Sequence, residues 1–220
     1  MAQNSSNDSN MMRNVARPTA QRLSEDLIIL EELHEHGTEI VSSRRLAELY
    51  GNNASQVRQD LFCLEHTGRA GQGYSVHELE RSIRRFLGIE ERRRIAIVGC
   101  GRLGTALALH VPLANYGLDL AAMFDVDPEV VGTNIGPVRI DHADRIDEIC
   151  EQRDITLAVL SVPTEAAQQT ADRLTQSGVR GILNFTRVRL RVPPHVVVEN
   201  RQLVCSFLQL AYAAGRNSGA

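Results

Sequence analysis

Tryptophan and lysine are both absent from this 220-residue chain. All 24 basic residues are therefore arginine, a skew that fits genome composition as readily as phosphate recognition. Aromatics are scarce, at 4% of residues. Positive charge is not in excess either. The formal net charge is −3, so no global basic field draws in nucleic acid, and any DNA contact must come from a local patch. The four cysteines, Cys63, Cys100, Cys150 and Cys205, lie far apart, with no CxxC pair. That argues against a disulfide framework or a metal site and fits a reducing cytosol. No apolar run approaches the roughly 18 residues a membrane span needs, and the N-terminus has no signal-peptide core. The expectation is a cytoplasmic protein with no metal and no membrane contact. What remains, 43% hydrophobic and 23% charged, is ordinary globular composition, enough for one large domain or two modest ones.

Residues 1–17 are rich in Asn and Ser with almost nothing to bury, which predicts a disordered tail. Helical periodicity begins after Pro18, where Leu23, Leu27, Leu30 and Leu33 share a face, and stops at Gly37. Ser42 or Ser43 can cap a second helix, Arg44 to Tyr50, ended by Gly51-Asn52. A third helix buries Val57, Leu61 and Leu64 and is expected to end at Gly68. The glycines of Gly68-Arg69-Ala70-Gly71-Gln72-Gly73-Tyr74 predict a tight hairpin tip, a wing directly after the third helix. A linking helix runs from about His77 to Leu87, and the polar run 90–94 marks a boundary. Beyond it strands and helices alternate. Strand Ile95–Val98 precedes helix Arg102–Tyr116, and strand Leu120–Asp125 follows. A short strand near Val138–Ile140 precedes helix His142–Gln152, strand Thr156–Val162, helix Glu165–Ser177 and strand Gly181–Phe185. This predicts a parallel sheet covered on both faces. Val196–Val198 is a possible last strand, and Leu203–Ala214 an apolar helix.

Gly99-Cys100-Gly101-Arg102-Leu103-Gly104 is a GxGxxG sequence between an apolar strand and a helix. Gly99 permits the turn, Gly101 lets the backbone approach a pyrophosphate, and Gly104 lets helix pack on strand. The pyrophosphate would meet unpaired amides at the helix start. Asp125, at the end of the next strand, stands where a carboxylate accepts from a ribose 2′-OH, which favours NAD over NADP. The competing reading is a related fold holding another nucleotide-bearing ligand such as coenzyme A. No catalytic residue is expected. A dehydrogenase needs a proton donor and substrate clamps, usually from a further domain. His142 and His195 lie in polar loops, as surface histidines do. In the N-terminal region, helix, turn, helix and wing is the arrangement that puts one helix into a major groove. Asn53, Ser55, Gln56 and Arg58 project near the start of the third helix, and Arg69 lies at the wing. The alternative there is a solvated helix in a small helical domain.

With both halves in place, the chain resembles the Rex family of redox-sensing transcriptional repressors from about Ala20 to Ala213. Ser55-Gln56-Val57-Arg58-Gln59-Asp60-Leu61 looks like that family's recognition helix, and Gly71-Gln72-Gly73-Tyr74 like its wing. Val98–Gly104 looks like its NAD loop, Phe124–Pro128 like its second strand and Gly181–Phe185 like a late strand. The fold class so implied is α/β. It comprises a winged helix-turn-helix domain over 18–89, a Rossmann-like parallel-sheet domain over 90–200, and a C-terminal helix and tail over 201–220 that swap onto a partner subunit. The resemblance implies a homodimer that binds two-fold operator DNA when NADH is low and releases it when NADH binds. It brings Gln59 and Gln72 into the DNA set with Ser55, Gln56, Arg58 and Arg69. It likewise brings Val162, Pro163 and Asn184 into the NAD(H) set with Gly99, Cys100, Gly101, Arg102, Leu103, Gly104 and Asp125. The alternative is a Rossmann enzyme or coenzyme A-binding protein with a helical appendage.

The chain also departs from the family. Gln59 and Ala70 stand where basic residues are usual, each loss removing roughly one phosphate contact. The family's switch commonly joins an Arg, a Tyr and an Asp, and those positions here are Ile28, His110 and Gln202. No ion pair can form among them. Arg102, by the cofactor in the family, is retained. The expectation is a chain that binds NADH but whose DNA affinity responds less than that of a relative with the complete switch.

Overall fold

A computed structural model describes residues 17–51, 53–64 and 73–217. The chain divides into two compact units between Glu91 and Arg92. Of the expected tail, all but Arg17 lies outside the described residues.

The first unit is mainly helical. Helix α1 (Arg17–Glu35) buries Leu23, Leu27 and Leu30. Strand β1 (Ile40–Val41) leads into α2 (Ser43–Tyr50). Ser42 caps α2 through its hydroxyl, and Gly51, left-handed at φ 68°, ends it. Asn53 caps α3 (Ala54–Leu61), which packs on α2. The third helix therefore stops seven residues short of Gly68. Beyond Leu61 the chain passes into i→i+3 bonds, Cys63 N–H to Asp60 and Leu64 N–H to Leu61, which tighten and end a helix. Leu64 is still buried, from the turn rather than from the helix. Strand β2 (Tyr74–Ser75) pairs antiparallel with β1, and α4 (Val76–Leu87) closes the core against α1 with Val76, Leu79 and Ile83. This β1:β2 ladder is the base of the expected wing. At Gly73, φ 81°, an added Cβ would come within 2.8 Å of Ile40 and 2.9 Å of the Val41 carbonyl, so only glycine fits. The expected wing tip, with Arg69 and Gln72, lies outside the described residues.

The second unit is a seven-stranded sheet ordered β5-β6-β4-β3-β7-β8-β9. Its strands are β3 (Arg93–Val98), β4 (Leu118–Asp125), β5 (Asn134–Ile135), β6 (Val138–His142), β7 (Leu157–Leu160), β8 (Gly181–Asn184) and β9 (Val197–Asn200). All ladders are parallel except β5 with β6. Central strands buried on both faces need apolar residues throughout, and Ile95, Ala96, Ile97 and Val98 are all buried. Helices α5 (Arg102–His110), α6 (Ile146–Gln152) and α7 (Thr164–Gln176) connect them, and α8 (Leu203–Asn217) follows β9. Two expected helices are shorter than read. The first breaks at Val111-Pro112, since proline disfavours helical backbone in the residue before it, and only a 3₁₀ turn covers Leu113–Tyr116. The second loses its first turn, because His142 ends β6 and Ala143–Arg145 form a 3₁₀ turn. Among the described residues no helix is long and apolar enough to cross a membrane.

Candidate dinucleotide site and reading helix

The parallel strands end together at one edge of the sheet, where β3, β4 and β7 deliver the glycine loop, Asp125 and Ser161-Val162-Pro163. Crevices outside the carboxyl ends of such strands are where open α/β sheets bind ligands. Gly99 takes φ 94°, and a Cβ there would sit 2.5 Å from the Ser161 carbonyl. At Gly104 a Cβ would lie 1.9 Å from the Gly99 carbonyl. The fold itself therefore demands both glycines. Gly101 differs. Its φ of −65° suits any residue, and nothing lies within 4 Å of its would-be Cβ. Gly101 is also the N-cap of α5 and supplies no side-chain cap. The amides that open α5 are thus left for an acceptor from outside the helix.

Side chains hold this loop in shape. Cys100 N–H donates to Asp125 Oδ2 at 2.5 Å, while Asp125 Oδ1 accepts from Val126 and Asp127 N–H at 2.7 and 3.0 Å. A carboxylate has about four acceptor positions, so Asp125 retains room for one more donor. The Thr105 hydroxyl donates to the Cys100 carbonyl, and the Ser161 hydroxyl to the Gly99 carbonyl, both at 2.9 Å. Thr105 and Ser161 were not foreseen, since neither belongs to the GxGxxG pattern and Ser161 acts from 62 residues away. Cys100 is buried, its thiol near the Phe124 carbonyl. Burial, then the charge of Asp125, pushes that thiol up to about 12. It is an inert wall rather than a nucleophile.

Arg102 and Leu103 are exposed at the start of α5, and Val162 and Pro163 flank the loop from β7. Asn184 is fully buried. Its amide nitrogen donates to Val188 O and Asn200 Oδ1, and its oxygen accepts from Thr186 N–H and hydroxyl. Asn184 therefore shapes the loop after β8 and can bear on a ligand only through that loop.

In the first unit, Ser55, Arg58 and Gln59 are exposed along α3. The Asn53 side chain accepts from Ser55 N–H at 2.8 Å and so closes the start of this helix. Arg58 reaches toward the Ser43 hydroxyl at 3.4 Å. Gln56 is turned inward, its amide donating to Asp60 at 3.2 Å. Asp60 in turn receives both arms of Arg22 from α1. That inter-helix clamp is a second feature the residue pattern does not disclose.

Residues 14–61 match a family described as the putative DNA-binding protein N-terminus, and residues 90–188 match the CoA binding domain family. A redox-sensing transcriptional repressor Rex from Thermus thermophilus is 42% identical over 199 residues, covering 90% of this chain and 93% of its own. This chain belongs to the Rex family. The Rex of Porphyromonas gingivalis is 38% identical, covering 92% of this chain and 91% of its own. Among solved Rex-family structures, the repressor RSP in complex with β-NAD⁺ and operator DNA is similar at a TM-score of 0.85 and 33% identity, over 93% of this chain and 94% of that one. RSP in complex with β-NADH gives 0.84 and 32%, over 93% and 96%. The coenzyme A description covers only the sheet domain of this Rex chain, whereas the Rex relatives match both units.

Proposed function

We propose that this Rex-family chain is a homodimeric, non-catalytic repressor that binds two-fold operator DNA through α3 and the wing, and NAD(H) at the glycine loop. The observation that carries the ligand reading is Gly101. The fold needs Gly99 and Gly104, but only a ligand lying against the backbone needs a glycine at an open position of normal φ. The residues fit a dinucleotide. The amides of Arg102, Leu103 and Gly104 face its pyrophosphate and Asp125 its adenine ribose, while Cys100, Val162 and Pro163 line the walls and the Asn184-held loop the far side. The exposed guanidinium of Arg102 adds a cation beside the phosphates. The dimer reading rests on α8, whose Leu203, Val204, Phe207, Leu208, Leu210 and Tyr212 are all about half or more exposed. An apolar helix so uncovered fits a second copy of the chain.

DNA contact falls to Ser55, Arg58 and Gln59 on α3 and to Arg69 and Gln72 on the wing, with Gln56 acting through Asp60. Ile28, His110 and Gln202 are all exposed and hold no carboxylate–guanidinium pair. A neutral hydrogen bond is worth about 0.5–1.5 kcal/mol, against about 1.5–3 for one to a charged group. NADH is therefore expected to loosen DNA binding less than it would with the family's charged switch. The test of the ligand reading is titration of the pure protein with NADH, NADPH and coenzyme A. NADH is expected to bind best, and Asp125→Ala to narrow its advantage over NADPH by roughly 10-fold or more, since a carboxylate bond to a hydroxyl is lost. Equal affinity for NADH and NADPH, or preference for coenzyme A, would defeat the assignment.

A further inference from the structure

Two carboxylates, Asp26 on α1 and Asp60 on α3, are each only 3% exposed within the first unit. Among the described residues, the one cation whose charge reaches Asp26 is Arg22, and it is committed elsewhere. Its Nε donates to Asp60 Oδ2 at 2.6 Å and its Nη2 to Asp60 Oδ1 at 2.7 Å, with a further bond from Nη2 to the Thr19 hydroxyl at 3.3 Å. Asp26 receives no hydrogen bond among the described residues. The two acids are thus treated oppositely. Burial alone would raise Asp60, but the bonds from Arg22 and Gln56 outweigh it and hold Asp60 below the usual carboxylate range. Asp26 is pushed up to about 6, first by burial, then by the charges of Asp60 and Glu25, with Arg22 pulling weakly the other way.

Arg22 and Asp26 stand four apart on one helix, the spacing at which side chains meet. Arg22 therefore has two alternative partners, Asp60 across the helix interface and Asp26 on its own helix. We propose that Arg22, Asp26 and Asp60 form a one-proton switch in the reading head: with a proton on Asp26 the Arg22 fork stays on Asp60 and α3 stays docked, and loss of that proton lets Asp26 draw Arg22 away. The link to DNA rests on the reading role proposed for α3. Among the described residues no other ionisable group interferes. From α1 itself only Arg22 and Glu25 bear on Asp26, and from α3 only Asp60. Glu80 and Arg84 of α4 pair with His34 and Glu31 at the far end of α1, and Arg44, Arg45 and Glu48 of α2 are exposed and pair with one another.

The sign follows from linkage. Asp26 binds its proton more tightly folded than unfolded, so stability falls as pH rises from its unfolded value of 3.8 through about 6 and stays lower above that. Asp26→Asn mimics the protonated acid and removes the dependence; Asp26→Ala is a second neutral variant in case the first packs poorly. Two ratios, variant over wild type at the same pH, cancel every other group: amide hydrogen exchange across 54–61 in the full chain, and operator affinity. From pH 5 to 7.5 the wild type is expected to lose protection in 54–61 relative to Asp26→Asn by up to about 10-fold, the part of the roughly two-unit pKa difference that titrates above pH 5. Relative operator affinity is expected to fall severalfold over the same range. A protection ratio that does not change with pH would overturn the proposal. So would a changing protection ratio with a constant operator-affinity ratio, which would break the link between proton and DNA while leaving α3 as the reader. Absence of operator binding by either protein would overturn the reading role itself, and the protection ratio would still decide the proton site.

Discussion

Helices α3 and α5 each follow closely on a left-handed glycine, Gly51 and Gly99, yet their starts are finished differently. Helix α3 is closed by its own sequence: the Asn53 side chain takes up the amide of Ser55. Helix α5 begins on Gly101 with no side chain to do so, although threonine, serine or asparagine would serve there. A capped start leaves recognition to side chains that project from the helix, and side chains can distinguish base edges. An uncapped start offers backbone amides and a dipole, which bind phosphate of any identity. On the roles proposed for them, one chain carries a specific reader and a general anion cradle, and the difference shows at a single residue of each helix.

Mutations should separate the two regions in order of expected effect. Gly104→Ala is expected to cost about 3 kcal/mol or more, because the new methyl group meets the Gly99 backbone and nothing flexible can give way. Gly101→Ala is expected to change stability by about 1 kcal/mol or less while weakening NADH at least about tenfold. Chemical denaturation with parallel NADH titration checks both; similar loss of fold in the two variants would remove the distinction between a packing glycine and a ligand glycine.

The corresponding break in the reading head is Arg22→Ala. It leaves Asp60 buried without its cation and is expected to destabilise the first unit by about 3 kcal/mol, less than a fully interior pair because Arg22 is partly solvated. Asp60 is held below its unfolded pKa, so the clamp contributes fully between about pH 3.8 and the ionisation of Asp26 near 6, and is lost as pH falls below that range. The wild-type advantage over Arg22→Ala should therefore shrink in strong acid, which denaturation at pH 3 and pH 5 checks. Smaller effects belong to the exposed arginines. Arg58→Ala is expected to reduce discrimination of operator from scrambled DNA by about 1–3 kcal/mol. Arg69→Ala is expected to weaken both DNAs alike and lower the salt slope by about one. Competition binding at two salt concentrations distinguishes them.

The glycine loop was legible in the sequence because its determinants are local: a strand, three glycines, a helix and an acid, all within residues 95–125. The reading head was legible only in outline. Its helices follow from leucine spacing and from Gly37 and Gly51, but the clamp joins Arg22 to Asp60 across 38 residues, and no periodicity announces it. Gln56 looked like a base reader because it begins a helix beside Ser55, whereas the clamp turns it inward. Strands β1, β2 and β5 are two residues long, too short to show alternation. Pro112 did carry a readable signal, and it outweighed the apolar run that suggested a helix to Tyr116.

The account's central claim is that ligand at the uncapped helix governs the capped one, with a coupling weakened by Ile28, His110 and Gln202. Operator affinity measured with and without saturating NADH tests it most directly. A fall of about 5- to 30-fold, roughly 1–2 kcal/mol of coupling, is the expected result. An operator affinity unmoved by saturating NADH would contradict the claim, and a fall beyond about 100-fold would contradict the weakened switch.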